Sequence, residues 1–189
     1  MIVSNNPETI ARIAKFRAFS VDRTHSERKV PGIYDVSDIG MNYRMSEMQG
    51  ALGRVQIKKI PKILAARKVN FEALKSGLEA LSNIRVIDDL NPRYTNTHYC
   101  LVAVFEDELA AKRDDIIMAL QDLGVGTSVY YPHPVARLTA YKKRYGYVDG
   151  TFPNAEIISD KAIALPVGPH LNEKDMTDIT AAVAAVTSR

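Results

Sequence analysis

Asp38-Ile-Gly-Met-Asn-Tyr-Arg-Met-Ser-Glu-Met-Gln-Gly-Ala-Leu-Gly-Arg-Val-Gln56 sets three polar residues, Asn42, Tyr43 and Arg44, directly before a helix that carries two glycines. The helix is predicted to begin near Met45. Ser46 stands as its cap with Gln49 three residues on, the capping-box spacing, and Met45, Met48, Leu52 and Val55 make its apolar stripe. A helix N-terminus offers unpaired backbone N–H groups and partial positive charge, so a donor at Asn42 and a cation at Arg44 suit an anion, above all a phosphate. On these residues alone the plainer alternative is favoured, in which Ser46 caps the helix and Arg44 points to solvent. Gly50 and Gly53 each cost a helix about 1 kcal/mol against alanine. Another backbone or a ligand comes close there, or two helices of one chain pack tightly.

N-terminal to this stretch, Met1-Ile-Val-Ser4 reads as the end of a strand, and Asn6, Pro7 and Glu8 open a helix predicted to run to about Phe19. Residues 20–43 read as a loop too long to be casual. C-terminal to it, a short break near Lys59 is expected before Pro61. A long helix then runs to about Leu81 on the stripe Leu64, Phe71, Leu74, Leu78 and Leu81, with Arg67 standing where another apolar residue belongs. Short strands follow at 84–87 and 98–105, a helix at 113–123 ended by Gly124, and a strand at 125–131. Helices at 138–145 and 154–162, a strand at 163–167 and a last helix capped by Asn172, with stripe Met176, Ile179, Val183 and Val186, complete the pattern. This is an α/β chain with an α+β portion, helices on one face of a small, mostly antiparallel sheet.

Close to half of the 189 residues are apolar and the net charge is only +3, with basic and acidic residues interspersed. A buried core is expected, and a nucleic-acid surface is not. The single Cys100 lies in an apolar run without a partner, which suits a buried small hydrophobe in a reducing, cytoplasmic compartment. Met1 opens neither a charged leader nor a long apolar stretch, and no segment nears the roughly 18 apolar residues of a membrane span. His25, His98, His133 and His170 show no metal-ligand spacing, so no metal is expected. Nor is there a nucleophile elbow or a phosphate-binding glycine loop. Tyr130-Tyr131-Pro132-His133-Pro134 holds a histidine on a stiff, extended segment. From the residues alone, Tyr131 reads as core and His133 is undecided between a structural and a cleft-facing role.

Gly40 to Gln56 resembles the strongest signature of the DegT/DnrJ/EryC1/StrS family of sugar aminotransferases, which depend on pyridoxal phosphate (PLP). Met1-Ile-Val-Ser-Asn5, Gly124 to Pro132 and Ala164-Leu-Pro-Val-Gly-Pro-His-Leu171 resemble further family segments, so the likeness spans essentially the whole chain. It implies the C-terminal portion of a fold-type I PLP-dependent transferase. Residues 1–60 would be the end of the large PLP-binding domain with a dimer-contact helix, and 61–189 the small domain. The lysine that forms a Schiff base with the cofactor would lie before Met1, leaving the chain inactive alone and without a catalytic residue of its own. Asn42 and Arg44 would bind cofactor, the asparagine reaching across a homodimer to the partner's phosphate, and Tyr43, Tyr131 and His133 would bind substrate. The reaction implied passes an amino group from a donor such as glutamate to a keto-sugar nucleotide, as in polysaccharide biosynthesis. The alternative is a non-catalytic dimerising or binding module derived from such an enzyme. Tyr130 and Ala136 stand where the family often has histidines, so substrate identity is not implied.

Overall fold

The computed structural model describes residues 2–22, 25–27, 29–88, 91 and 93–188, and of His25 only the backbone. The chain divides into two compact units, 1–58 and 59–189.

In the first unit, α1 spans Pro7–Phe16, with the Asn6 side chain accepting from the Glu8 and Thr9 amides and Pro7 in its first turn. It stops short of Phe19, because Phe19 and Ser20 both adopt positive φ and turn the chain back. Residues 2–4 form no strand, and Met1 lies outside the described residues. The 20–43 segment has more order than a loop: a 3₁₀ turn at His25–Glu27 and single antiparallel pairs joining Val21 to Val36 and Ala18 to Asn42. Helix α2, Glu47–Glu79, leads out of this unit and runs unbroken through Pro61, so the break expected near Lys59 does not occur. Proline removes one amide hydrogen bond from a helix but not the turns on either side.

The second unit holds the core. Strands β1 (Ile84–Ile87), β2 (Leu101–Phe105) and β3 (Ala162–Leu165) pair antiparallel in the order β1-β2-β3, with Ile84 opposite Phe105 and Leu101 opposite Leu165. Against the sheet pack Phe71, Leu74 and Leu78 of α2, Ile116 and Leu120 of α4 (Arg113–Asp122), and Met176, Ile179 and Val183 of α7 (Glu173–Thr187). Each such fully buried side chain contributes roughly 1.5–3 kcal/mol. Short helices α3 (Asp107–Ala111), α5 (Thr139–Tyr145) and α6 (Pro153–Lys161) complete the unit, which is the α+β arrangement expected. Three strands depart from the sequence reading, β3 by ending at Leu165 where 167 was expected. β2 begins at Leu101 because His98 has φ 44°, which ends extended pairing, and 125–131 forms no strand. Only Ser128 of that segment reaches the sheet, exchanging both backbone hydrogen bonds with Ala164 at 3.1 and 2.7 Å.

Candidate functional site

The Asn42 motif is built by backbone pairing with the end of α1. Met41 N–H donates to the Phe16 carbonyl at 2.7 Å, Phe19 N–H to Met41 at 3.1 Å and Tyr43 N–H to Arg17 at 2.9 Å. Gly40 permits this approach: a Cβ there would stand 2.4 Å from the Ser20 nitrogen and 2.5 Å from the Phe19 carbonyl carbon. Only a residue without a side chain fits. Ser46 then closes the capping box of α2, its amide donating to Gln49 Oε1 at 2.9 Å while its Oγ accepts the Gln49 amide at 3.3 Å.

The side chains follow from this frame. Asn42 Oδ1 accepts the Arg44 amide at 3.4 Å, and the Nδ2 donors of the exposed side chain make no hydrogen bond among the described residues. The Arg44 guanidinium lies over the Phe19 ring at 5.6 Å and makes no ion pair among the described residues. Tyr43 is exposed and its ring approaches Phe16 at 6.4 Å. An amide donor and an uncompensated cation at a capped helix start are a donor set that fits a phosphate. The expected stripe Met45, Met48, Leu52 and Val55 is exposed in this chain, Met48 at 82%. A Cβ on Gly53 would meet nothing within 4 Å, and one on Gly50 only Met45 Sδ at 3.8 Å, so packing within one chain does not account for either glycine.

Tyr131 and His133 belong to the second unit. Tyr131 is 72% exposed and therefore not core. The 125–131 segment meets the sheet at Ser128 alone, so nothing draws its end inward. Its ring neighbours Tyr130 at 5.6 Å, and Tyr130 neighbours Tyr99 at 6.2 Å. The neighbouring Tyr130 phenol holds that of Tyr99 above its ordinary value. His133 is exposed between Pro132 and a buried Pro134. The turn behind it is clamped by Arg137, whose Nη1 meets Asp160 at 2.6 Å and Nη2 meets Glu156 at 2.9 Å. Sequence reading missed this clamp; the pair of carboxylates one helical turn apart on α6 was its only trace. Cys100 is half-buried, and burial pushes its thiol up. Among the described residues no group of three histidine, cysteine or acidic side chains could hold a metal ion, and no helix is long and apolar enough to cross a membrane.

The arrangement of helices on a small antiparallel sheet is that of about half of the chain of solved aminotransferases. The profile of the DegT/DnrJ/EryC1/StrS aminotransferase family matches residues 1–184, and the chain belongs to that family. It is 29% identical over 154 residues to the spore coat polysaccharide biosynthesis protein SpsC of Bacillus subtilis, covering 79% of this chain and 39% of that protein. The crystal structure of DesV from S. venezuelae is similar at a TM-score of 0.83 and 26% identity, over 99% of this chain and 46% of that one. The aminotransferase PseC of Helicobacter pylori, involved in pseudoaminic acid biosynthesis, shares the fold at a TM-score of 0.84 and 21% identity, over 98% and 48%. The chain thus spans about half the length of the relatives it matches.

Proposed function

We propose that the chain forms part of an aminotransferase that passes an amino group from an amino acid such as glutamate to a keto-sugar nucleotide. Residues 1–60 close the large PLP-binding domain and carry the dimer-contact helix, and 61–189 form the small domain. The observation that carries this reading is the orientation of Asn42, whose oxygen is engaged by Arg44 N–H and whose amide donors are left over, within the residues that the family profile matches. Asn42 would hold the cofactor phosphate of the partner subunit in a homodimer, and Arg44 would balance its charge. The exposed stripe of α2 and the two glycines in it support a second polypeptide surface there. When bound, PLP supplies the electron sink for amine exchange. Tyr43, Tyr131 and His133 would orient the sugar nucleotide, the tyrosines by ring contact and hydroxyl, the histidine from its proline-fixed segment.

Schiff-base formation calls for a lysine whose ammonium is easily deprotonated. The lysines with a resolved shift, Lys75 and Lys174, are instead held above the ordinary value by hydrogen bonds to Asp88 and Asp178. On this reading the chain is inactive alone and works in the cytoplasm with a lysine-bearing large domain. The test supplies that domain, PLP, L-glutamate and a panel of keto-sugar nucleotides, and follows aminated product by mass spectrometry. Product from the assembled enzyme and none from the 189-residue chain is the result expected. No product from either would favour a non-catalytic binding module.

A further inference from the structure

Arg67 interrupts the apolar stripe of α2. Its helix neighbours Phe71, Leu74 and Leu78 are buried in the core, yet Arg67 brings a guanidinium to the same region, with its Nε buried and without a hydrogen-bond partner. An orphaned N–H is a cost that a leucine would avoid. The guanidinium lies over the Tyr99 ring, 5.7 Å from its centroid. From Tyr99 a chain of ring contacts continues to Tyr130 at 6.2 Å and on to Tyr131 at 5.6 Å. Tyr131 makes no side-chain hydrogen bond among the described residues, and its ring contact there is with Tyr130. Tyr99 is itself 64% exposed and has little core packing to fix it.

We infer that Arg67 is a positioning residue: by stacking on Tyr99 it fixes Tyr130 and, through it, the exposed ring of Tyr131 that would meet the sugar nucleotide. The last link rests on the reading of Tyr131 given under Proposed function; the ring ladder itself does not. The cation–π contact is one that lysine retains in part and leucine loses, and the Tyr99–Tyr130 ring contact couples the next two rings. The result is a relay from the long helix to the proposed substrate face.

The test compares wild type with Arg67→Leu, Arg67→Lys, Tyr99→Leu and the double variant Arg67→Leu/Tyr99→Leu. The chain has nine tyrosines and no tryptophan, so near-ultraviolet circular dichroism of the 189-residue chain in the tyrosine band reads those rings without tryptophan overlap. Arg67→Leu should weaken that signal, and in the assembled enzyme raise KM for the sugar nucleotide about two- to fivefold with PLP affinity unchanged. Arg67→Lys should recover part of both, and the double variant should go no further than Tyr99→Leu alone. The melting temperature should hold, since leucine continues the stripe. Unaltered dichroism in Arg67→Leu, or a lower melting temperature with KM intact, would overturn the inference. If the assembled wild type turns over no sugar nucleotide, that failure falls on the proposed function, and the dichroism series still decides whether Arg67 orders the rings.

Discussion

His98 stands at φ 44° with its ring centroid 4.4 Å from that of Phe71, and its Nδ1 is buried without a partner. Burial holds the imidazole below its ordinary value of 6.5, aided by Lys68 and opposed by Asp88 and Glu72. The unfolded chain therefore takes up a proton at higher pH than the folded one, and stability is whole above pH 6.5 and falls as pH drops from there toward the folded value. Thermal melts across that window should show a steeper loss in wild type than in His98→Asn, which keeps a residue tolerant of positive φ and removes the titrating ring. Parallel curves would remove His98 from the account. Some residue-scale features are legible in the sequence and others are not. Arg67 shows itself as a charge in an apolar stripe, because helical spacing is a local pattern. The need for glycine at position 40 is hidden, since it is imposed by the backbone of Phe19 and Ser20, far back along the chain. Tyr131 misleads because an aromatic residue near a strand end looks like core until the sheet's edge is known.

Caps are the elements' clearest signals. Asn6 before α1, Ser46 with Gln49 before α2 and Asn172 before α7 are each read from the sequence and each bond as capping requires, because the geometry involves residues two or three apart. At α7, Asn172 Oδ1 accepts the Lys174 amide at 2.9 Å and the Asp175 amide at 3.3 Å, while Asp175 Oδ2 accepts the Asn172 amide at 2.8 Å. Asn172→Ala should cost about 1 kcal/mol, seen as an earlier midpoint in urea with an unchanged slope. A midpoint at the wild-type position would mean that α7 is held by Met176, Ile179 and Val183 alone. Strand extent and the passage of α2 through Pro61 are not legible in the same way. They depend on partners distant in sequence: β3 finds Ser128 but no longer run of the 125–131 segment, and α2 is set by the core that its C-terminal half enters.

The two units differ in what they bury. All of the buried hydrophobic residues belong to 59–189, whereas in 1–58 Ser20 is the single buried residue among those described. The proposed place of 1–58 at the large domain and dimer contact of an aminotransferase would give this segment the covering surface it does not build for itself. The Asn-Tyr-Arg motif of 1–58 is proposed to hold a cofactor phosphate. Asn42→Ala removes the amide donors left over once Oδ1 has accepted the Arg44 N–H, a charge-assisted hydrogen bond worth roughly 1.5–3 kcal/mol. The direct measurement is a PLP titration of the assembled apo-enzyme beside a thermal melt of the same form. A dissociation constant raised about tenfold to a hundredfold, with the melt unchanged, is the predicted result. An unchanged dissociation constant with a lowered melting temperature would contradict it, leaving Asn42 as no more than the residue that orders the approach to the Ser46 cap.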